Sequence, residues 1–536
     1  MEVTTSWICK RKNKLFLLHI SKLNRNFAHD MNISNSGMKV LAKDTAVYGL
    51  SSIVGRFLNY LLVPLYTNVI SAESGGYGIV TNLYAYVALI LVFLTFGMET
   101  TFFRFASKED ENPHQVFRTA LGIVTTLSVI FLAAVFLFTT PIAHAIGYDG
   151  DAERLYIQIM ACVVALDAIQ AIPFSYLRFK GKAIKFATLK LLFIALNIGL
   201  NLLVFVGLGL TDVYYVFFLN LLCTGFITFF FIPELVAEFR FCGSNAPDAA
   251  AMQAGSAVAH GSWVSLCKRM LSYSWPILVL GIAGILNQTA DKMLFPMVYP
   301  DPREAQVQLG IYGACVKIAM IMAMITQAFR YAYEPIVFRL SGKRGGNAGS
   351  KGTSEDNSKA TQVNAMRFFL MGTLFAFLCV VGYMPLLQYI IGEDYRAGLR
   401  VVPIVMMAEI MMGVYFNLSF WYKLIDKTIW GAWFSLAGCT VLIAVNVLFI
   451  PQYSYMACAW GGVAGYGTAM VLSYLVGQRK YPIDYDLKTL GGYVALTVVL
   501  YYVMTDVSTL LPTVWQILSN TLLIAIYILY IIKTKR

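Results

Sequence analysis

Apolar residues come in blocks of roughly 20 or more, divided by short polar stretches, from residue 44 almost to the C-terminus. The blocks fall at 44–70, 76–103, 117–140, 153–177, 184–208, 211–235, 272–299, 309–337, 364–391, 398–422, 428–450, 455–477, 489–505 and 511–532. A block of about 20 apolar residues crosses a ~30 Å hydrocarbon core as a helix. The pattern therefore predicts an all-α polytopic membrane protein with about 14 transmembrane helices.

Lys and Arg alternate with the blocks. Four of the 41 basic residues (Arg154, Arg303, Arg396, Arg400) are assigned to the loops or block edges of one side, and four more (Arg56, Lys190, Lys292, Lys317) are read as lying within the spans, other cations near block ends being counted with the adjoining loops. The rest lie on the other side, which the positive-inside rule makes cytoplasmic, with both termini there. The net charge of +12 is then a topology signal and predicts no nucleic-acid partner. Residues 1–37 read as a basic cytoplasmic tail, in which the apolar core LFLLHI is too short for a secretory h-region; Met31 and Met38 are alternative starts. The Gly/Ser/Ala-rich stretches 241–271 and 341–362 read as cytoplasmic linkers, the second disordered. External loops are expected to hold about ten residues or fewer.

An internal repeat organises these blocks. Gly75, Tyr77 and Gly78 recur as Gly310, Tyr312 and Gly313, and Glu99, Arg104 and Lys108 recur as Glu334, Arg339 and Lys343, all in one register. The shared pattern, G-x-Y-G and then E-x-x-x-F-R-x-x-x-K, indicates duplication. The copies are six spans apart and so share an orientation, which predicts two six-helix halves (38–240 and 272–480) related by an axis along the membrane normal. Residues 481–536, helices 13 and 14, have no counterpart and read as a peripheral addition. Glu and Arg five apart on a helix differ by about 140°, so each needs a partner on another element. Arg104, Lys108, Arg339 and Lys343 read as topology anchors, and Glu99 and Glu334 as gate or coupling residues.

Composition supports the membrane reading: 58% of residues are apolar and 13% charged, against roughly 25% charged in soluble domains. A charge at mid-membrane costs roughly 2.5–3.5 kcal/mol on insertion scales, so it needs a cavity or a partner. Arg56 lies near mid-membrane in span one; Asn287 and Asp291 share a face of span seven with Lys292 beside them; Lys317 lies in span eight, and Asp167 and Lys190 in spans four and five. Four cations against two carboxylates predict a wet, net positive cavity suited to an anionic head group. Asp167 and Asn287 join the gate or coupling set, and Arg56, Lys190, Asp291, Lys292 and Lys317 form the substrate-binding set.

Other chemistry is weak. The nine cysteines lack a C-x-x-C pair and read as small hydrophobes; the five histidines form no H-E-x-x-H, so no metal site is expected. No phosphate-binding G-x-x-x-x-G-K-[ST] occurs, so ATP is not expected to drive the chain. Asp484-Tyr485-Asp486 has the form of a D-x-D but lies in a short loop, and Gly461, Gly462, Gly465 and Gly467 read as a helix-packing face.

LAKDTAVYGLSSIVGRFLNYLLVPLYTNVISAESGGYGIVTNLYAYV, the FRFASK after span two and the NQTADK of span seven resemble Wzx-type polysaccharide and O-antigen flippases, the polysaccharide-transport branch of the superfamily that holds the MATE drug exporters and the lipid II flippases. The resemblance implies translocation of undecaprenyl-pyrophosphate-linked oligosaccharide units across a bacterial inner membrane for capsule, O-antigen or exopolysaccharide synthesis. It implies alternating access without ATP, proton or sodium coupling as an option, and polysaccharide polymerase machinery as a partner. It places Arg56, Asp291 and Lys292 at the pyrophosphate. The competing expectations are a cation-coupled drug exporter, which would want an acidic cavity, and a polysaccharide polymerase or ligase, which would want a large external loop. No enzymatic activity is expected.

Overall fold

The computed structural model describes residues 62–108, 111–236, 263–342, 351–425, 427–507 and 510–535, with residues 331, 332, 334–342, 351–358, 507 and 535 described by backbone alone. Arg56, Lys343 and most of span one lie outside the described residues, as does the linker over 237–262. Among the described residues every regular element is helical.

In chain order the helices are α1 (Leu62–Val69), α2 (Gly76–Thr95), α3 (Met98–Ala106), α4 (Pro113–Leu137), α5 (Thr139–Ala145), α6 (Asp151–Phe179), α7 (Ala183–Leu202), α8 (Val213–Phe229), α9 (Trp263–Val298), α10 (Pro302–Gly342) and α11 (Lys351–Gly382), followed by α12 (Met384–Leu387), α13 (Val402–Leu418), α14 (Phe420–Leu424), α15 (Ile429–Tyr453), α16 (Tyr455–Lys480), α17 (Leu487–Tyr502) and α18 (Thr513–Lys535). Eleven helical stretches among the described residues are long and apolar enough to cross a membrane, which makes the chain a multi-pass membrane protein. The expected spans at 211–235 and 455–477 are present as α8 and α16, but α8 is short and α16 is rich in glycine, and neither is among the eleven.

The structure moves several boundaries. Span two is not one straight helix: α2 ends at Phe96 and α3 starts after Gly97, both with left-handed backbone (φ 50° and 66°). Only glycine adopts this conformation without strain, and a Cβ on Gly97 would lie 2.8 Å from Ile277 of α9, so α9 packs directly on the break. Span seven begins at Trp263, inside the expected linker, and α11 begins at Lys351, so the second linker is helical over 351–362 and not disordered there. The segment between α11 and α13 is longer than an external loop of about ten residues: 383–401 folds into α12 and two 3-10 turns. It lies on the end of α1, where the Gly392 N–H donates to Thr67 Oγ1 (3.0 Å) and the Tyr395 hydroxyl donates to the Ile70 carbonyl (2.8 Å).

Helices α2, α4, α6, α7 and α8 pack among themselves, α9, α10, α13, α15 and α16 form a second group, and α17 and α18 lie on α11. The groups meet where α2 packs on α9 and α10. Here the repeated glycines face each other. A Cβ on Gly78 would collide with the Gln306 carbonyl oxygen, one on Gly310 would stand 3.0 Å from the Gly78 nitrogen, and one on Gly313 would strike the Thr81 side chain. The backbones approach this closely because no side chain intervenes, as in small-residue membrane helix contacts.

Candidate functional site

One turn of α9 carries a linked set of polar groups inside the second helix group. The Asp291 carboxylate, 7% exposed, accepts from Lys292 Nζ (3.0 Å to each oxygen) and from the Tyr312 hydroxyl (2.7 Å). Lys292 Nζ also donates to the Gln288 carbonyl (3.2 Å) and lies 5.6 Å from the Tyr312 ring centre. Tyr312 is the tyrosine of the second G-x-Y-G copy; its counterpart Tyr77 instead packs edge-on against Tyr395.

The backbone of that turn is held from two sides. Asn82 of α2, fully buried, donates to the Lys292 carbonyl (2.8 Å) and accepts from the Tyr148 hydroxyl (2.9 Å). From α16, the Tyr466 hydroxyl donates to the Asn287 carbonyl (2.9 Å). Asn287 itself reaches away from Asp291, donating to the Ala283 and Ser435 carbonyls. Buried donors that satisfy helix carbonyls in this way fix a turn rigidly, because leaving them unmade costs about 1–3 kcal/mol each.

Two further charges belong to this site. Lys317 of α10 has Lys292, a like charge, as its electrostatic neighbour, and among the described residues it makes no ion pair or hydrogen bond. Glu409 of α13 lies within the fields of both Lys292 and Asp291. The sequence reading missed Glu409, although a carboxylate inside the apolar run IVMMAEIMMG is the same signal that picked out Lys317. Its presence corrects the charge tally. Among the described residues Lys190, Lys292 and Lys317 are matched in number, though not pair by pair, by Asp167, Asp291 and Glu409, so a positive surplus across these charges would come from Arg56 alone.

A second cluster lies in the first helix group. The break before α3 places Glu99 in the first turn of α3, where the helix N-terminus favours a carboxylate. Glu99 accepts from Arg178 of α6 (3.0 Å) and from Ser175 (3.2 Å), and Arg178 also donates to Ser175 (3.0 Å). Arg178 was not singled out in the sequence, since it sits in a basic stretch at a span end. Lys190 of α7 stands 4.0 Å over the Phe174 ring and feels Asp167 and Glu99 as attractive charges and Arg178 as a repulsive one.

The remaining expected residues are dispersed. Arg104 lies over the Tyr273 ring of α9 (4.7 Å) and Lys108 over Phe105 (4.6 Å). Glu334 and Arg339 lie on the α10 backbone. Asp486 of the D-x-D caps α17 by accepting from the Thr489 N–H (3.1 Å), an ordinary helix-end role. Among the described residues no group of three or more His, Cys, Asp or Glu is placed to hold a metal ion.

The fold is that of the transporter class to which MATE proteins belong. It is similar to the lipid II flippase MurJ in an inward closed conformation (TM-score 0.67, 14% identity, 91% of this chain and 99% of that one). It is also similar to an inward-facing multidrug resistance MATE family transporter of the MOP superfamily (0.62, 12%, 82% and 96%) and to the MATE multidrug transporter DinF-BH (0.56, 16%, 83% and 96%). No curated protein matches the chain by sequence. Residues 41–340 match the model of the polysaccharide biosynthesis protein family, and the chain belongs to that family.

Proposed function

We propose that this protein is a flippase for undecaprenyl-pyrophosphate-linked oligosaccharide units, working by alternating access in the bacterial inner membrane with both termini cytoplasmic. The observation that carries the reading is the pairing of Lys317 with Lys292. Lys317 is a cation within an apolar helix and without a protein counter-charge among the described residues, and the charge that acts on it is that of Lys292, whose carboxylate partner is shared with Tyr312. Such a pair suits a doubly charged pyrophosphate. Family membership and the fold shared with MurJ support the same substrate class.

In this reading the units 38–240 and 272–480 are the moving halves, 241–271 joins them, and Arg56 adds a cation from span one. The Asp291 carboxylate gives up Lys292 to the incoming pyrophosphate and then takes a proton or sodium ion, with Glu409 as a second acceptor. Glu99, through Arg178, holds the ends of α3 and α6 together at the basic side.

The test is surface polysaccharide display in cells carrying Lys292→Gln and Lys317→Gln, with membrane protein levels measured in parallel. Loss of display at unchanged protein level is expected from each. Normal display in the double variant refutes the capture role. A second reading, export of cationic compounds, is favoured by Glu409 and Asp291 together; efflux of a cationic dye that depends on Glu409 and not on Lys317 would select it.

A further inference from the structure

Away from both charge clusters, α10, α11, α13 and α14 line a pocket near the ends where basic residues gather. Its floor is polar and unsatisfied. Thr326 and Asn417 are 5% and 6% exposed, and Thr326 Oγ1 and Asn417 Oδ1 find no hydrogen-bond partner among the described residues. Asn417 spends its donor on the Gly413 carbonyl (3.0 Å), so what remains is an acceptor that needs a hydroxyl or N–H. Buried polar atoms left this way cost about 1–3 kcal/mol each. The pocket is partly open and its interior volume is about 10 Å³, room for a group the size of one water or one hydroxyl.

The rim is cationic. The Arg330 guanidinium lies over the Phe416 ring (5.1 Å) and Lys423 Nζ over the Phe420 ring (4.9 Å). Phe416 and Phe420 are four residues apart on nearly continuous helix, hence on one face, so the two cations stand over neighbouring rings. Arg330 and Lys423 are the charged side chains that line the pocket.

We propose that this pocket binds a phosphate ester carrying a free hydroxyl close to the phosphate, such as a phosphoglycerol group. The phosphate is held at the rim by Arg330 and Lys423, and the hydroxyl enters the floor, donating to Asn417 Oδ1 and pairing with Thr326 Oγ1. A methyl phosphate dianion or a phosphate diester without a hydroxyl satisfies the rim but offers Asn417 no donor. The site is independent of the flippase reading, since it shares no residue with the Lys292 cluster.

The full chain, purified and delipidated, tests this in two arms. The soluble arm compares glycerol 3-phosphate with methyl phosphate by calorimetry, and the lipid arm compares phosphatidylglycerol with phosphatidylmethanol by native mass spectrometry. The hydroxylated ligand is expected to bind about tenfold tighter than its methyl counterpart, as one buried hydrogen bond predicts. Asn417→Leu should erase that preference, and Arg330→Gln or Lys423→Gln should weaken both ligands of a pair by about tenfold. Lys480→Gln, at the same side, should change neither. Binding in the lipid arm alone assigns a membrane head group, and binding in the soluble arm alone assigns a soluble phosphate ester. Should Asn417→Leu fail to fold, Thr326→Val serves in its place. A preference that survives these floor variants, rim variants that bind like the native chain, or no binding in either arm overturns the proposal and leaves the pocket to water.

Discussion

Gly78→Ala is the most direct probe of the seam between the two helix groups. The added methyl collides with the Gln306 carbonyl oxygen and stands 2.7 Å from its carbonyl carbon. Both are backbone atoms of α10, so no rotamer change relieves the clash and α2 must move off α10. Overpacking of this kind costs about 1–3 kcal/mol, which shifts an open–closed equilibrium at this end by roughly 5- to 150-fold. Cys315, fully buried beside the seam with its thiol on the Tyr395 carbonyl (3.4 Å), is a built-in reporter. In a chain with Cys315 as its sole cysteine, maleimide labelling should accelerate within that range in Gly78→Ala. Gly122→Ala is the control, because a Cβ there meets nothing within 4 Å. Gly313→Ala extends the test: its clash is with the Thr81 side chain, and Thr81→Ala removes the hydroxyl and methyl, leaving Cβ at 3.1 Å, so the double variant should recover most of the native labelling rate. Unchanged labelling and unchanged thermal stability in Gly78→Ala would refute the reasoning that the glycines set the seam.

Other outcomes follow from the two charge clusters. Asn82→Ala leaves the Lys292 carbonyl and the Tyr148 hydroxyl without their buried partner and should destabilise the protein by about 3 kcal/mol, read as a lowered Tm, whereas Asn82→Asp should not restore it because a carboxylate cannot donate to a carbonyl. Asp291→Asn keeps an acceptor for Tyr312 but frees Lys292; transport in vesicles should then lose its response to an imposed proton or sodium gradient, and an intact response would assign coupling elsewhere. Glu99→Gln breaks an ion pair in which both side chains are more than a third exposed, so stability should fall by no more than about 1 kcal/mol; a larger drop in thermal unfolding would show that the pair is structural and not a gate.

How far the sequence reaches is clearest at Asp291 and Lys292. Their place in an apolar block marks them as a site, and the structure finds them hydrogen-bonded to each other. Tyr312 was visible as a repeated residue, but its bond to Asp291 depends on how α10 crosses α9, which no local pattern encodes. The break at Phe96–Gly97 was hidden for another reason: phenylalanine in a left-handed conformation is unfavourable on its own, and packing of α9 against Gly97 imposes it. Arg178 was counted as one more inside-positive residue because the topology rule asks only which side it lies on. The same rule, applied to basic residues alone, passed over Glu409 and so overstated the positive surplus. The backbone of α11 is helical through a stretch that composition marked as linker, because composition alone does not exclude a helix.

The contacts of Gly392 and Tyr395 on the end of α1 also carry a timing. Each spans 325 residues of chain, and at synthesis rates of about 5–20 residues per second the later partner emerges roughly 15–65 s after the earlier one. Until then Thr67 and the Ile70 carbonyl await those partners. During biogenesis the first span is therefore inserted long before its end is capped, and any chain cut short before residue 391 leaves that end without the cover it has in the finished protein.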